Sequence, residues 1–394
     1  MINATNLTGL LLNSSAVNGT AVNSTAHLAQ MINPILFSVG LPLLLLIIIA
    51  MFVMRTVTPV TPFLYANARI HARSNKMVSD QLLIELTDGK SLKEFSSMLK
   101  ETLFKEELEK TDDQLRSIHT ALENSFMESI IELGELSPEK SRNLLNSYFL
   151  FMEAKLLKII YRAKLTKSEV PDCLVHPVGN IDKNVLKHLL DAETIADISV
   201  VMVQTIYSEV FERKYSTLEE FEVSLDEYVL NKIVHIVKKT KMYDGEFIIN
   251  IINLKIDLLN IMALLKFRIR NVSKDIQKKM LVNNKTELCS RFENLINAEK
   301  LKDFVEEFKG TDYYAAMNVA YEKHNKDKSL VHFENELYKM FKKNVVSNDL
   351  LHTLGPYPIF SHLIKMELIL RNLFVISRGI DAGFASEKIK EMIV

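Results

Sequence analysis

The sequence predicts an all-α protein in which one N-terminal transmembrane helix precedes three pseudo-symmetric helical-bundle repeats. Three observations carry this. Gly 11 and Pro 9 together make up about 5% of the 394 residues, well under the usual ~12%, so turn-rich β folds and glycine-looped nucleotide folds are poorly supplied. Residues Met1 to Met54 contain no Asp, Glu, Lys or Arg and end in the 20-residue apolar run Ile35–Met54. Beyond that run, similar patches recur at intervals of roughly a hundred residues, the mark of internal repetition.

The first segment, residues 1–30, is a polar tail with Asn-x-Ser/Thr sequons at Asn3, Asn6, Asn13, Asn18 and Asn23. An accidental sequon in a low-complexity polar tail is the alternative reading of any one of them, on equal terms. Residues 31–55 hold the transmembrane helix, long enough for a hydrocarbon core of ~30 Å. Pro34 is tolerated in a first turn, and Pro42 kinks the run. A cleaved signal peptide fits less well, because it carries a basic start and a shorter apolar stretch. Positive charge follows the run at Arg55, Arg69, Arg73 and Lys76, which places the N-terminus outside and the main body on the cytoplasmic side of the cell membrane. The tail then lies where glycosylation acceptors are used. Residues 35–54 meet the lipid bilayer, and 56–63, with Pro59 and Pro62, form a linker.

The body divides into helical repeats at 64–170, 171–275 and 276–394. Thr102-Leu103-Phe104, Thr205-Ile206-Tyr207 and Thr311-Asp312-Tyr313 stand 103 and 106 residues apart. Each precedes an amphipathic segment, around Leu122, Leu225 and Leu337, and then a strongly apolar helix: Tyr148 to Arg162, Asn253 to Arg268, Leu363 to Arg378. In those helices Glu153, Asp257 and Ile369 are in register, followed nine positions later by Arg162, Lys266 and Arg378. Nine residues is two and a half turns, so acid and base point to opposite sides and need partners from other helices. A carboxylate in so apolar a helix must be hydrogen-bonded or ion-paired. A satisfied core contact that fixes helix register is the plainer reading, and a direct contact with another protein the bolder one. Each unit exceeds a solenoid repeat of 20–45 residues and reads as a bundle with its own core.

Catalytic signatures are missing. There is no phosphate-cradling glycine loop, no H-E-x-x-H and no Glu-x-x-His pair. Cys173 and His176 form a lone Cys-x-x-His, so no metal or cofactor is expected. Lys+Arg 48 against Asp+Glu 49 gives a net charge of -1, and basic clusters such as Lys238-Lys239 lack interleaved aromatics, so nucleic acid is not indicated. Binding or mechanical coupling remains, and an enzyme using scattered acids in a helical pocket is the weakest reading.

Tyr65-Ala66-Asn67-Ala68-Arg69-Ile70, with Arg73 and Leu82-Leu83 behind it, resembles the opening of the C subunit of archaeal A-type ATP synthases, a relative of the d subunit of V-type ATPases. The threefold Thr-x-Tyr/Phe pattern is similar to that family's triplication, as are Asp257-Leu258-Leu259-Asn260 and Arg371-Asn372-Leu373 followed by Gly379. The resemblance runs from Pro62 to Val394. It implies a funnel-shaped, non-catalytic rotor subunit that sits on the proteolipid ring, receives the central-stalk subunits, and links proton or sodium transport to ATP synthesis or hydrolysis. Departures are Ile369 for an acid, with Glu367 two positions earlier, Phe374 for an Arg, and Leu156 for an Asn. A transmembrane helix is a further departure, since the family is ordinarily peripheral. The alternative is a membrane-anchored helical adaptor or scaffold outside any rotary complex.

Overall fold

The computed structural model describes residues 39–170, 177–240, 244–283, 286–349 and 351–394. The polar tail with its sequons, the start of the predicted span at 35–38, and Cys173 with His176 lie outside the described residues. The chain falls into two compact units, one ending at Thr61 and the other running from Pro62 to Val394.

In the first unit, α1 (Leu41–Thr56) has Pro42 in its first turn, Arg55 in its last, and no buried residue. Its 16 residues rise about 24 Å. Every large apolar side chain from Leu41 to Met54 is exposed, the reverse of what a water-facing helix does.

The second unit is built from helices throughout; among the described residues its one β feature is an isolated bridge, Val178 to Ile181. Four short helices, α2 (Leu64–Ser74), α3 (Asp80–Leu86), α4 (Leu92–Met98) and α5 (Lys105–Leu108), lead into the long pair α6 (Leu115–Leu136) and α7 (Glu139–Thr166). Next, α8 (Lys183–Asp191), α9 (Ile195–Met202) and α10 (Ser208–Phe211) lead into α11 (Leu218–Thr240) and α12 (Gly245–Ile269). Finally, α13 (Lys274–Lys279), α14 (Glu287–Asn297), α15 (Leu301–Glu306) and α16 (Tyr314–Asp327) lead into α17 (Val331–Asp349) and α18 (Tyr357–Asp381), with α19 (Ser386–Met392) after them. Side-chain caps set several starts: Ser79, Ser91 and Asp182 accept backbone N–H groups, and Thr194 with Asp197 forms a full capping box on α9, each satisfying donors a helix start leaves free.

Short connections make α6/α7, α11/α12 and α17/α18 helical hairpins. Between hairpins, α7 packs on α11, α12 on α17, and α18 on α6, so the six long helices follow one another in a closed cycle. The apolar registers read from the sequence face the interior: Leu122, Leu225 and Leu337 are fully buried, as are Ile118, Phe221 and Phe333 one turn earlier. Helix α12 is long and apolar enough to cross a membrane, but 61% of its apolar window is buried inside the body, so it is a core helix.

Candidate functional site

Thr102, Thr205 and Thr311 build the same turn three times. Each hydroxyl donates to the carbonyl three residues back, Leu99, Met202 and Phe308, at 2.6, 2.7 and 2.7 Å. Each also accepts the N–H two residues on, from Phe104, Tyr207 and Tyr313, at 3.3, 3.2 and 3.3 Å. This local side-chain bonding competes with helix, stops the preceding helix, and sends the following aromatic ring inward; Phe104, Tyr207 and Tyr313 are all buried.

Two of those rings meet the two acids. Tyr207 donates its hydroxyl to Glu153 Oε2 at 2.7 Å, and Tyr313 donates to Asp257 Oδ2 at 2.8 Å. Glu153 is 0% exposed, and its Oε1 also accepts the Asn180 backbone N–H at 2.9 Å and Nδ2 at 3.1 Å. Asp257 Oδ1 accepts the Thr286 hydroxyl at 2.8 Å. Burial pushes the Glu153 carboxyl up against the opposing pull of those donors. Burial first, and then the neighbouring carboxylates, push both phenols far above their ordinary value, so the proton stays on tyrosine and each clasp is a phenol held on a carboxyl. Gly179, at φ +54, lets the 178–180 turn approach; a Cβ there would lie 1.9 Å from Glu153 Oε1. Thus the second segment's tyrosine holds the first segment's acid, and the third holds the second's. Going round once more, the same register pairs Phe104 with Ile369, neither of which has a polar group.

Asn260 and Asn372 stand three residues after Asp257 and Ile369, and both do one job. Asn260 binds the backbone C=O and N–H of Val282, at 2.8 and 2.9 Å, and Asn372 the backbone O and N–H of Val394, at 2.6 and 2.9 Å. Each valine is 22 residues further on. In the first segment that register holds Leu156, and Val178, likewise 22 on, exchanges two 2.9 Å bonds with Ile181 instead. The departure at Leu156 is compensated locally.

Phe151, Lys255 and Glu367 share the register two residues before Glu153, Asp257 and Ile369, and they converge from three hairpins. Lys255 Nζ is 2.7 Å from both Glu367 oxygens, and lies over the Phe151 and Tyr148 rings at 4.5 and 5.5 Å. Tyr148 also donates to Glu367. Beside them a cavity of about 360 Å³ is lined by Lys155, Arg371, Phe374 and Arg378 among others. Arg371 donates to Glu334 at 3.0 Å and to Asn335 at 3.3 Å, and stacks on Tyr338. Arg162, Lys266 and Arg378 are exposed, while Glu153 and Asp257 are buried; Arg162 bonds Glu222 of α11 at 2.5 Å.

Sequence reasoning missed Lys255, Tyr148, Asn180 and His119. The signal for Lys255 is its 112-residue offset from Glu367, the offset that also relates Asn260 to Asn372. His119 Nε2 bonds Ser377 Oγ at 2.9 Å, and burial, then Arg378 and Lys155, lower its pKa to about 4. Asn67, in the α2 segment read from the sequence, donates to the carbonyls of Thr353 and Gly355 at 3.2 and 3.1 Å, tying α2 to the α17–α18 connection. Among the described residues, no three His, Cys, Asp or Glu side chains group closely enough to hold a metal ion.

A family model described as ATP synthase (C/AC39) subunit matches residues 66–392. Curated relatives named as the C subunit of A-type ATP synthase include one from Methanocaldococcus jannaschii, 24% identical over 377 residues, covering 90% of this chain and 94% of the relative. Another, from Pyrococcus abyssi, is 25% identical over 337 residues, covering 84% and 90%. A third, from Methanosphaera stadtmanae, is 24% identical over 379 residues, covering 92% and 96%. A match spanning 92% of this chain extends well ahead of residue 66 and takes in α1; one spanning 84% does not need to.

Proposed function

The chain belongs to the ATP synthase (C/AC39) subunit family, and on that premise we propose that it is the C subunit of an A-type rotary ATP synthase, a non-catalytic coupling piece between central stalk and membrane rotor. The observation that carries this reading is the extent of the family match, residues 66–392, which is the whole helical body from α2 to α19.

The geometry supports the coupling role. Torque transfer needs a stiff body with two broad contacts and no bond chemistry, and close-packed interiors transmit strain. The three segments read as three copies of one bundle arranged as a funnel: the threonine turn occurs three times, the Asn–Val fastening twice, and like registers meet at Lys255 and Glu367. The proteolipid ring would take one end of this body and the central-stalk subunits the other, linking proton or sodium transport to ATP turnover.

Residues 35–54 are proposed as a single membrane span, N-terminus outside and body on the cytoplasmic side. Support comes from the exposed apolar side chains of α1, from the cations that follow it, and from the Methanosphaera stadtmanae relative's match, which takes in the same stretch. Within the body, Tyr65 and the 351–355 connection that Asn67 holds carry exposed apolar side chains, Tyr65, Leu351 and Leu354 at 64%, 74% and 53%, and these suit an apolar contact with a partner subunit. On a turning ring such a span is compatible only with the central lumen, since at the rim it would drag past stator and lipid.

Purification of the tagged full chain from native membranes in mild detergent tests the assignment. Recovery with proteolipids, stalk and head subunits is the expected result; a lone anchored monomer favours the adaptor reading and overturns this one. A density map of the intact complex with α1 at the ring's outer rim would reject the lumen placement.

A further inference from the structure

Arg69 and Arg73 lie one turn apart on α2, with Lys76 in the turn just after it, and Ser125, Ser129 and Glu132 recur along one side of α6. The two rows border a groove of about 430 Å³ whose wall is completed by Thr102 and Lys105. The Leu103 N–H donates to the Lys76 carbonyl at 3.1 Å, which ties the turn after α2 to the threonine turn. Small side chains, Ala72, Ser125 and Ser129, leave its floor open.

The lining carries four cations, Arg69, Arg73, Lys76 and Lys105, against the carboxylates of Glu106, Glu128 and Glu132. Glu132 is engaged by both Arg73 and Arg69, while Glu106 and Glu128 are exposed. Arg69, Lys76 and Lys105 are exposed too, so the lining carries an excess of one positive charge. A second observation is independent of charge. Ser125 is only 4% exposed, and its hydroxyl is buried with no hydrogen-bond partner, although Ser129 one turn later donates to the Ser125 carbonyl at 2.9 Å. A buried hydroxyl is ordinarily satisfied, so this one is a donor waiting for an acceptor.

We propose that the α2–α6 groove binds a phosphate group. Guanidinium groups on α2, hydroxyls on α6 and the ammonium groups of Lys76 and Lys105, all lining one groove, suit a tetrahedral, multiply charged oxyanion better than a planar carboxylate. The phosphate is that of an anionic lipid headgroup or of a soluble phosphate compound. The lipid source rests on the membrane reading above, because a basic cluster directly after an apolar span is what recruits anionic headgroups. The site itself does not rest on it.

The full chain in neutral detergent is titrated with inorganic pyrophosphate and, separately, with short-chain phosphatidylglycerol, following ³¹P line broadening. The expected result is saturable broadening that weakens roughly tenfold or more in Lys76→Gln/Lys105→Gln, weakens less in Ser125→Ala, and is unchanged in Lys238→Gln/Lys239→Gln, where the same charge is removed from exposed positions on α11. Binding of the lipid alone identifies a headgroup site, and binding of pyrophosphate a site for a soluble phosphate. No saturable broadening of either, or equal losses in both lysine pairs, overturns the proposal. Because the lysine variants leave the Arg–Glu132 contacts in place, folding is checked by their unaltered thermal midpoint without ligand. Failure here leaves the co-purification result above untouched.

Discussion

The junctions α7/α11 and α12/α17 differ from the junction α18/α6. The first two each contain a carboxyl buried under a tyrosine hydroxyl, Glu153 with Tyr207 and Asp257 with Tyr313. At the third, the register offers Ile369 and Phe104, and closure falls to contacts elsewhere: two exposed ion pairs, Lys342 with Asp80 at 2.7 Å and Lys390 with Asp88 at 2.8 Å, and two buried hydrogen-bonded contacts, Asn67 on the 353–355 connection and His119 on Ser377. Chain order explains the difference. Segments one and two, and two and three, are neighbours in sequence, whereas α18 must find α6 across more than two hundred residues, with the larger loop entropy that entails. The short helices α2, α3 and α4, all of which pack on α18, supply apolar area where the polar clasp is absent. Buried clasps select one geometry at a junction already close in sequence; broad apolar contact closes the distant one.

The sharpest way to break this comparison is to empty a clasp. Glu153→Ala leaves the buried Tyr207 hydroxyl and the part-buried Asn180 N–H without their acceptor, and opens a void, for a loss of ~3–5 kcal/mol. Ile369→Ala, at a half-buried seam position, is expected to cost only ~1–2 kcal/mol. Urea midpoints of the full chain in detergent measure both, and equal losses would mean that the clasps are no more demanding than the seam. Tyr207→Phe removes one hydrogen bond to the carboxyl and should fall between them, at about 2 kcal/mol.

The asparagine fastenings come next in size. Asn260→Leu strips both Val282 peptide groups of their partners and should cost about 2–3 kcal/mol, although Leu is what the first segment naturally carries at position 156. There Val178 has Ile181 to bond. If Asn260→Leu is silent by the same urea measurement, the Val282 segment repairs itself as Val178 does, and the apparent difference between segments vanishes.

Acid separates the two kinds of junction by sign. His119 at the seam, and His362 on helix α18, have folded pKa values lowered to about 4 from an ordinary 6.5. Burial is the first cause for each, followed for His119 by Arg378 and Lys155, and for His362 by Lys365, Arg73 and His71. The unfolded chain therefore takes up protons as pH falls below about 6.5 while the folded chain does not, and seam stability is lost between there and about 4. Glu153 runs the other way. Its pKa is raised by burial, so the folded state gains relative to the unfolded as pH falls through the window above the ordinary carboxyl value. Thermal midpoints from pH 7 down to 4.5 should drop less in His119→Gln than in the unaltered chain, and more in Glu153→Gln, which removes the carboxyl's compensating gain. A His119→Gln profile parallel to the unaltered one would show that the seam does not respond to acid through this histidine.

Much of this was legible in the sequence, and the limits are physical. Apolar periodicity names the helices because burial of one face is a local property of the chain, and the spacing of Thr102, Thr205 and Thr311 reveals the repeated turn because its hydrogen bonds span only a few residues. The nine-residue spacing sets Glu153 and Arg162 on opposite sides by helix geometry alone. What the sequence hides is who meets whom. Lys255 reads as one more exposed lysine until three hairpins bring it over Phe151 and onto Glu367, and Asn180 lies in a turn whose approach depends on Gly179. Those contacts are set by tertiary packing, which leaves no local pattern.

The smallest effect tests the cyclic register itself. If Phe104 stands to Ile369 as Tyr207 stands to Glu153, then the missing clasp can be transplanted. Ile369→Glu alone should destabilise by ~2–4 kcal/mol, because it places a carboxyl on a largely apolar surface without a donor, and Phe104→Tyr alone by ~1 kcal/mol, because it buries an unpaired hydroxyl. Together they should lose less than the sum of the singles, with a coupling of ~1 kcal/mol in the double-mutant cycle. Strict additivity would mean that the two positions do not face one another, so the third junction departs from the pattern in its packing and not merely in its side chains. A favourable coupling would mean that the seam keeps the clasp's geometry after losing both of its polar groups, as three copies of one bundle require.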